Sequence, residues 1–168
     1  MATTPILPDY PDGPIPGFPG DLADIGLKDS ISRRNTGTLP IPFGAAVIDG
    51  PADPTSTNND PGCAAFTTAG RVIGFAKSDY ALRPIIGGLV GATQPALAYQ
   101  PGDMVHVVRD ARMRQIADAD VVAGTKVAVD ANGVVTVAGA ASGTEQGDAA
   151  WETTTKAGHA GIIQILMH

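Results

Sequence analysis

The stretch YQPGDMVHVVRDARMRQIAD, residues 99–118, decides the fold. After the turn dipeptide Pro101–Gly102 nothing in it would break a helix, so it could be drawn as one. Val105, Val107 and Val108 argue against that, because β-branched side chains are stiff and fit a pleated surface better. No apolar stripe recurs at 3.6-residue spacing either. The reading is a barrel corner at 101–103 followed by two strands, 103–109 and 112–118. Further on, VAGTKVAVDANGVVTV (122–137) repeats the plan of a Gly-containing turn followed by alternation. Its DANG tetrapeptide is a hairpin signal, since Asn and Gly tolerate the positive φ of a tight turn.

Outward from this core the same grammar recurs. FGAAVID (43–49), RVIGFAK (71–77), TKVAVD (125–130), GVVTVA (133–138), AWETT (150–154) and GIIQILM (161–167) all read as strands between turn signals. About eight short antiparallel strands without a convincing helix predict an all-β chain, a small antiparallel barrel or sandwich spanning residues 43–168. In the last strand Ile162 and Leu166 share one face, Ile163 and Ile165 the other. Both faces are therefore expected to be covered, one by the domain's own core and one by a neighbouring copy.

Residues 1–42 differ. They hold 8 of the 14 prolines, which exclude a long helix or a central strand. Between and after the prolines stand Ile6, Leu7, Tyr10, Ile15, Phe18, Leu22, Ile25 and Leu27, more large apolar groups than a linker carries. The segment reads as an extended arm that docks on another subunit, with Tyr10, Ile15, Phe18, Leu22 and Ile25 as contact residues; the alternative is an arm folded back on its own domain. Fully extended, 42 residues reach at most roughly 140 Å.

The rest of the composition narrows the function. Of 168 residues 17% are charged and the net charge is −6, a poor match to a nucleic-acid backbone. The short basic cluster Arg109, Arg112 and Arg114 is interleaved with acids and reads as a solvated strand edge. Cys63 is the only cysteine, so no intrachain disulfide or Cys-based zinc site can form. The start shows no basic and apolar signal-peptide regions, and no run of 18 apolar residues occurs. A soluble protein made in a reducing cytosol, without membrane or nucleic-acid partners, is expected.

Chemistry is sparse. His106, His159 and His168 lie in no ligand spacing, and GxSxG, Walker-type and GxGxxG loops are absent. The acids mostly fall at turns, where Asp bonds its own backbone. AAVIDG (45–50) is similar to one motif of trimeric dUTPase barrels, but the phosphate-binding and aromatic-capping motifs that should accompany it are missing. No cofactor, metal or catalytic set is expected. The alternative is a small trimeric β-barrel enzyme or ligand-binding module, whose mark would be a polar pocket collecting Asp49, Asp79 and His106.

Taken in order, PGFPGDLADIGLKDSISRRN (16–35), IPFGAAVIDG (41–50), GRVIGFAKSDYALR (70–83), YQPGDMVHVVRDARMRQIA (99–117), AGTKVAVDANGVVT (123–136) and AAWETTTKAGHAGIIQILM (149–167) resemble the structural cement, or capsid decoration, proteins of tailed bacteriophages. Each motif alone is a turn and a strand; their order and spacing carry the specificity. RDAR (109–112) stands where that family often has Gly between strands, and residues 84–98 fall outside its pattern. The resemblance implies a non-enzymatic homotrimer on the outer surface of an icosahedral head. It would bridge neighbouring major capsid subunits and be made in the host cytoplasm.

Overall fold

The structure, a computed structural model, describes residues 19–23, 29–67, 71–79, 98–137 and 144–167. It is all-β, with no helix among the described residues. The strands are β1 (Asp29–Arg34), β2 (Ile41–Pro42), β3 (Ala46–Ala52), β4 (Pro61–Ala65), β5 (Val72–Ala76), β6 (Ala98–Tyr99), β7 (Met104–Ile116), β8 (Lys126–Val129), β9 (Val135–Val137), β10 (Thr144–Trp151) and β11 (Ala160–Leu166). The main sheet runs β4-β3-β5-β7-β11-β10-β8-β9, with β1 also on β7, and it curls into a half-barrel; β2 and β6 form a separate two-stranded ladder. Every strand pair is antiparallel.

Residues 99–118 meet the expectation in one part and depart from it in another. The corner is as expected: Asp103 N–H donates to the Gln100 carbonyl at 3.0 Å, and Gly102 has φ +94°. Proline at the second position and a positive-φ glycine at the third describe a type II turn. The Asp103 carboxylate closes it by accepting from Gln100 N–H at 2.7 Å.

Beyond the corner the expectation of two strands is corrected. Residues 104–116 form one 13-residue strand, and RDAR is no turn. Opposite β1 the register skips a residue: Ser30 faces Val108 while Asp29 faces Asp110. That is a β-bulge at Arg109. One extra residue reverses which side chains point inward. Val108 before the bulge, and Ala111 and Met113 after it, accordingly share one core.

There are two cores. The larger gathers Phe75, Val108, Met113, Val127, Trp151, Ile163 and Ile165 with their neighbours. The smaller gathers Ile41, Phe43, Val47, Cys63, Ala76, Tyr99, Val105 and Val107. Consecutive residues of β3, β5 and β7 (Ala46 and Val47, Phe75 and Ala76, Val107 and Val108) fall into different cores. These strands form a wall with apolar packing on both faces, so their runs read as nearly continuous hydrophobics.

Other boundaries also shift. β1, assigned to the arm from sequence, is a sheet strand pairing with Met104–Asp110; β2 likewise pairs with β6. The sheet thus begins at Asp29, not near Phe43. Proline density hid β1, which itself has none and carries a single large apolar side chain, Ile31. The 130–134 hairpin is as read: the Asp130 carboxylate accepts from the N–H groups of Asn132 (2.8 Å) and Val134 (2.9 Å). In β11, Ile163 and Ile165 are fully buried, whereas Ile162 and Leu166 are half-buried on the outer face.

Candidate functional site

A closely packed feature is formed by residues 20–23. Residues 20–23 lie against the second half of β7, bonded through Gly20 N–H to Arg114 O (3.0 Å), Arg114 N–H to Asp21 O (2.7 Å) and Ala23 N–H to Arg112 O (2.8 Å). Leu22 bridges to Met113 and packs, partly buried, on the larger core. Gly20 and Gly44 cross at close range. A Cβ on Gly20 would sit 2.7 Å from Gly44 N and 2.9 Å from both Ala76 O and Ser78 N. All three are backbone atoms, so only glycine fits.

Polar side chains complete the clamp. Gln115, 4% exposed, donates from Nε2 to Gly44 O at 2.8 Å. Asp21 is buried and accepts from the Ser78 hydroxyl, and Ser78 N–H donates to Gly20 O at 2.9 Å. Beside the clamp lies a surface groove of about 200 Å³ walled by Pro19, Pro42, Phe43, Gln115, Ile116 and Val134.

Of the five contact residues expected from sequence, Leu22 is placed on the chain's own core, while Tyr10, Ile15, Phe18 and Ile25 lie outside the described residues. The glycine clamp escaped sequence reading. PGFPGD was visible as a motif, but a close approach of Gly20 to Gly44 has no local signature.

Two of the polar groups that could have marked an enzyme, Asp49 and His106, are engaged separately. Asp49 pairs with Arg33, and exposed His106 shares a hydrogen bond with Ser32 across the β1–β7 ladder at 3.1 Å. Among the described residues no three His, Cys, Asp or Glu side chains are placed to hold a metal. Within the basic cluster, Arg109 pairs with Asp29 at 3.4 Å and Arg112 with Glu152 at 2.6 Å. Cys63 is fully buried beside the Arg34 carbonyl, 3.4 Å from its Sγ. Burial pushes its thiol up to about 11, so it stays protonated and unreactive. No helix of the described residues is long and apolar enough to cross a membrane.

The profile of the structural cement protein family (E217 gp24/Pam3 gp6) matches residues 6–166. The chain belongs to that family. A similar solved chain comes from the capsid of Myoviridae phage XM1, with TM-score 0.58 at 13% identity over 99% of this chain and 98% of that one; at this identity the likeness is one of fold. No curated protein matches. Membership in the cement family implies a structural role in a phage capsid rather than a catalytic one.

Proposed function

We propose that this cement protein sits as a homotrimer on the outer surface of a tailed-phage head and clamps neighbouring major capsid subunits through its N-terminal arm. The observation that carries the reading is the rooted arm. Three backbone hydrogen bonds to β7 and a glycine crossing hold residues 20–23, so any pull on the chain upstream is transmitted into the barrel sheet. The family match starts at residue 6 and so includes that upstream segment. Tyr10 is its capsid-facing anchor, contributing about 1–3 kcal/mol if desolvated against the partner.

Charge refines the partner surface. Of the acids in residues 1–30, Asp21 is committed to Ser78 and Asp29 to Arg109. Asp9 and Asp12 remain in the arm before the clamp, and they favour a capsid groove presenting Arg or Lys, with binding that weakens as salt rises. Threefold repetition converts weak single contacts into avidity. The half-buried outer face of β11, Ile162 and Leu166, supplies the contact between copies.

Deleting residues 1–18 tests this, with sedimentation velocity and co-sedimentation on capsids as readouts. The expected result is a folded trimer whose capsid affinity falls at least tenfold, with Tyr10→Ala alone giving part of the loss. A truncated protein that saturates capsids at unchanged concentration overturns the arm's role.

A further inference from the structure

The hairpin between β8 and β9 carries a reactive dipeptide. Asn132–Gly133 is the one Asn-Gly pair in the chain. Glycine has no Cβ to shield its backbone nitrogen, so that nitrogen reaches the side-chain amide of a preceding asparagine with the least hindrance. Asn132 is exposed to solvent, whereas Gly133 is buried.

The fold treats the two positions differently. Gly133 has φ +78°, and a Cβ there would lie 2.6 Å from Phe66 Cβ and 3.2 Å from Ala46 O. Turn and packing therefore demand glycine. At position 132 the turn draws on the backbone N–H, which donates to Asp130 Oδ1 at 2.8 Å. Any residue but proline supplies that bond. The Asn132 side chain adds a long bond from Nδ2 to Asp130 Oδ2 at 3.5 Å.

The same hairpin holds the reacting groups apart. Attack requires the Gly133 nitrogen to turn toward Asn132 Cγ. That nitrogen donates to Asp130 O at 3.0 Å, and Val134 N–H is held by the Asp130 carboxylate at 2.9 Å. On the other side of the residue, Gly133 O accepts from Ala46 N–H at 2.8 Å, which ties the hairpin to β3. Rotating the 132–133 peptide breaks the bonds to Asp130 O and Ala46 N together, so the chemistry waits for the hairpin to open.

We propose that Asn132 is a deamidation site gated by this hairpin, a slow covalent record of how often β8–β9 comes away from β3. In the open hairpin the Gly133 nitrogen gives its proton to solvent base and bonds to Asn132 Cγ. The Cγ–Nδ2 bond breaks, and ammonia leaves with a proton from water. Water then opens the cyclic imide at either carbonyl, leaving aspartate or isoaspartate at position 132. The isoaspartyl product routes the backbone through Cβ and so adds a methylene to it, which moves Gly133 O out of register with Ala46 N–H. Modified chains are then held less tightly against Ala46 and Phe66, both members of the larger core.

The test holds full-length protein at mildly alkaline pH, folded and in urea, and follows position 132 by peptide mass spectrometry that separates isoaspartate from aspartate. Conversion is expected to be at least tenfold slower in the folded protein, and the ratio should match the open fraction from hydrogen exchange at Gly133 N–H. Asp130→Ala should speed conversion of the folded protein at least fivefold. Where that variant does not fold, urea below the unfolding transition supplies the same loosening to the unaltered chain. Asn132→Ser keeps the backbone bond and should remove the signal. Equal rates folded and unfolded would overturn the gate, and an unfolded chain that stays unmodified would overturn the site. An isoaspartyl fraction that melts with the unmodified protein would overturn the link to β3.

Discussion

Gly20→Ala separates a rooted arm from one that merely drapes over the barrel. The new methyl would lie 2.7 Å from Gly44 N and 2.9 Å from Ala76 O and Ser78 N, none of which can rotate away. Gly20 also has φ +84°, where alanine costs about 1 kcal/mol. The root must therefore move off, losing its bonds from Gly20 N–H to Arg114 O and from Ser78 N–H to Gly20 O. At about 1 kcal/mol each, these bring the loss to roughly 3 kcal/mol. For a chain of this size that lowers Tm by roughly 6–12 °C. Thermal unfolding gives the magnitude, and chymotrypsin cleavage at Leu22, shielded against the core in the native protein, gives the location. A variant with unchanged Tm and unchanged protection of Leu22 would refute the clamp.

Ile163→Asp should cost several kcal/mol or raise the new carboxyl's pKa well above its usual range, because Ile163 is fully buried opposite Met113 and Trp151; urea denaturation at two pH values distinguishes these. The Trp151 indole N–H is buried and has no hydrogen-bond partner among the described residues, so Trp151→Phe should lower stability by less than about 1.5 kcal/mol, while Trp151→Ala should cost about 3–5 kcal/mol. Cys63 binds its proton more tightly folded than unfolded, so the stability it contributes is full below pH 9 and lost as pH rises toward about 11; Tyr99, raised to about 12 mainly by burial, acts the same way from pH 10. Denaturation midpoints should therefore fall from pH 9 upward, and a disulfide reagent at pH 8 should modify Cys63 only after unfolding.

Much of this architecture was legible because it is local. Pro101–Gly102–Asp103 and Asp130–Gly133 announce their turns through residues that set φ or bond their own backbone. The Val-rich runs of β7, β8 and β9 announce strands through side-chain shape. What was hidden depends on partners far along the chain. The bulge at Arg109 exists because β1 and β7 differ by one residue of register, and nothing in RDAR distinguishes a bulge from a turn. β4, with the sequence PGCAA, has almost no β-propensity and is a strand because β3 pairs with it. β1 reads as polar arm sequence, and its place is set by the β7 edge it covers. The 20–23 clamp was half legible: Gly20 stood out in a Pro-Gly motif, but its fit against Gly44 belongs to the folded molecule.

Cryo-electron microscopy of virion heads carrying this protein tests the central claim most directly. The proposal predicts threefold density on the outer surface, fitted by three copies of the barrel, with the chain before Pro19 running onto adjacent major capsid subunits and Tyr10 buried there. Monomeric density, density inside the shell, or barrels seated on the capsid with no arm contact would contradict it.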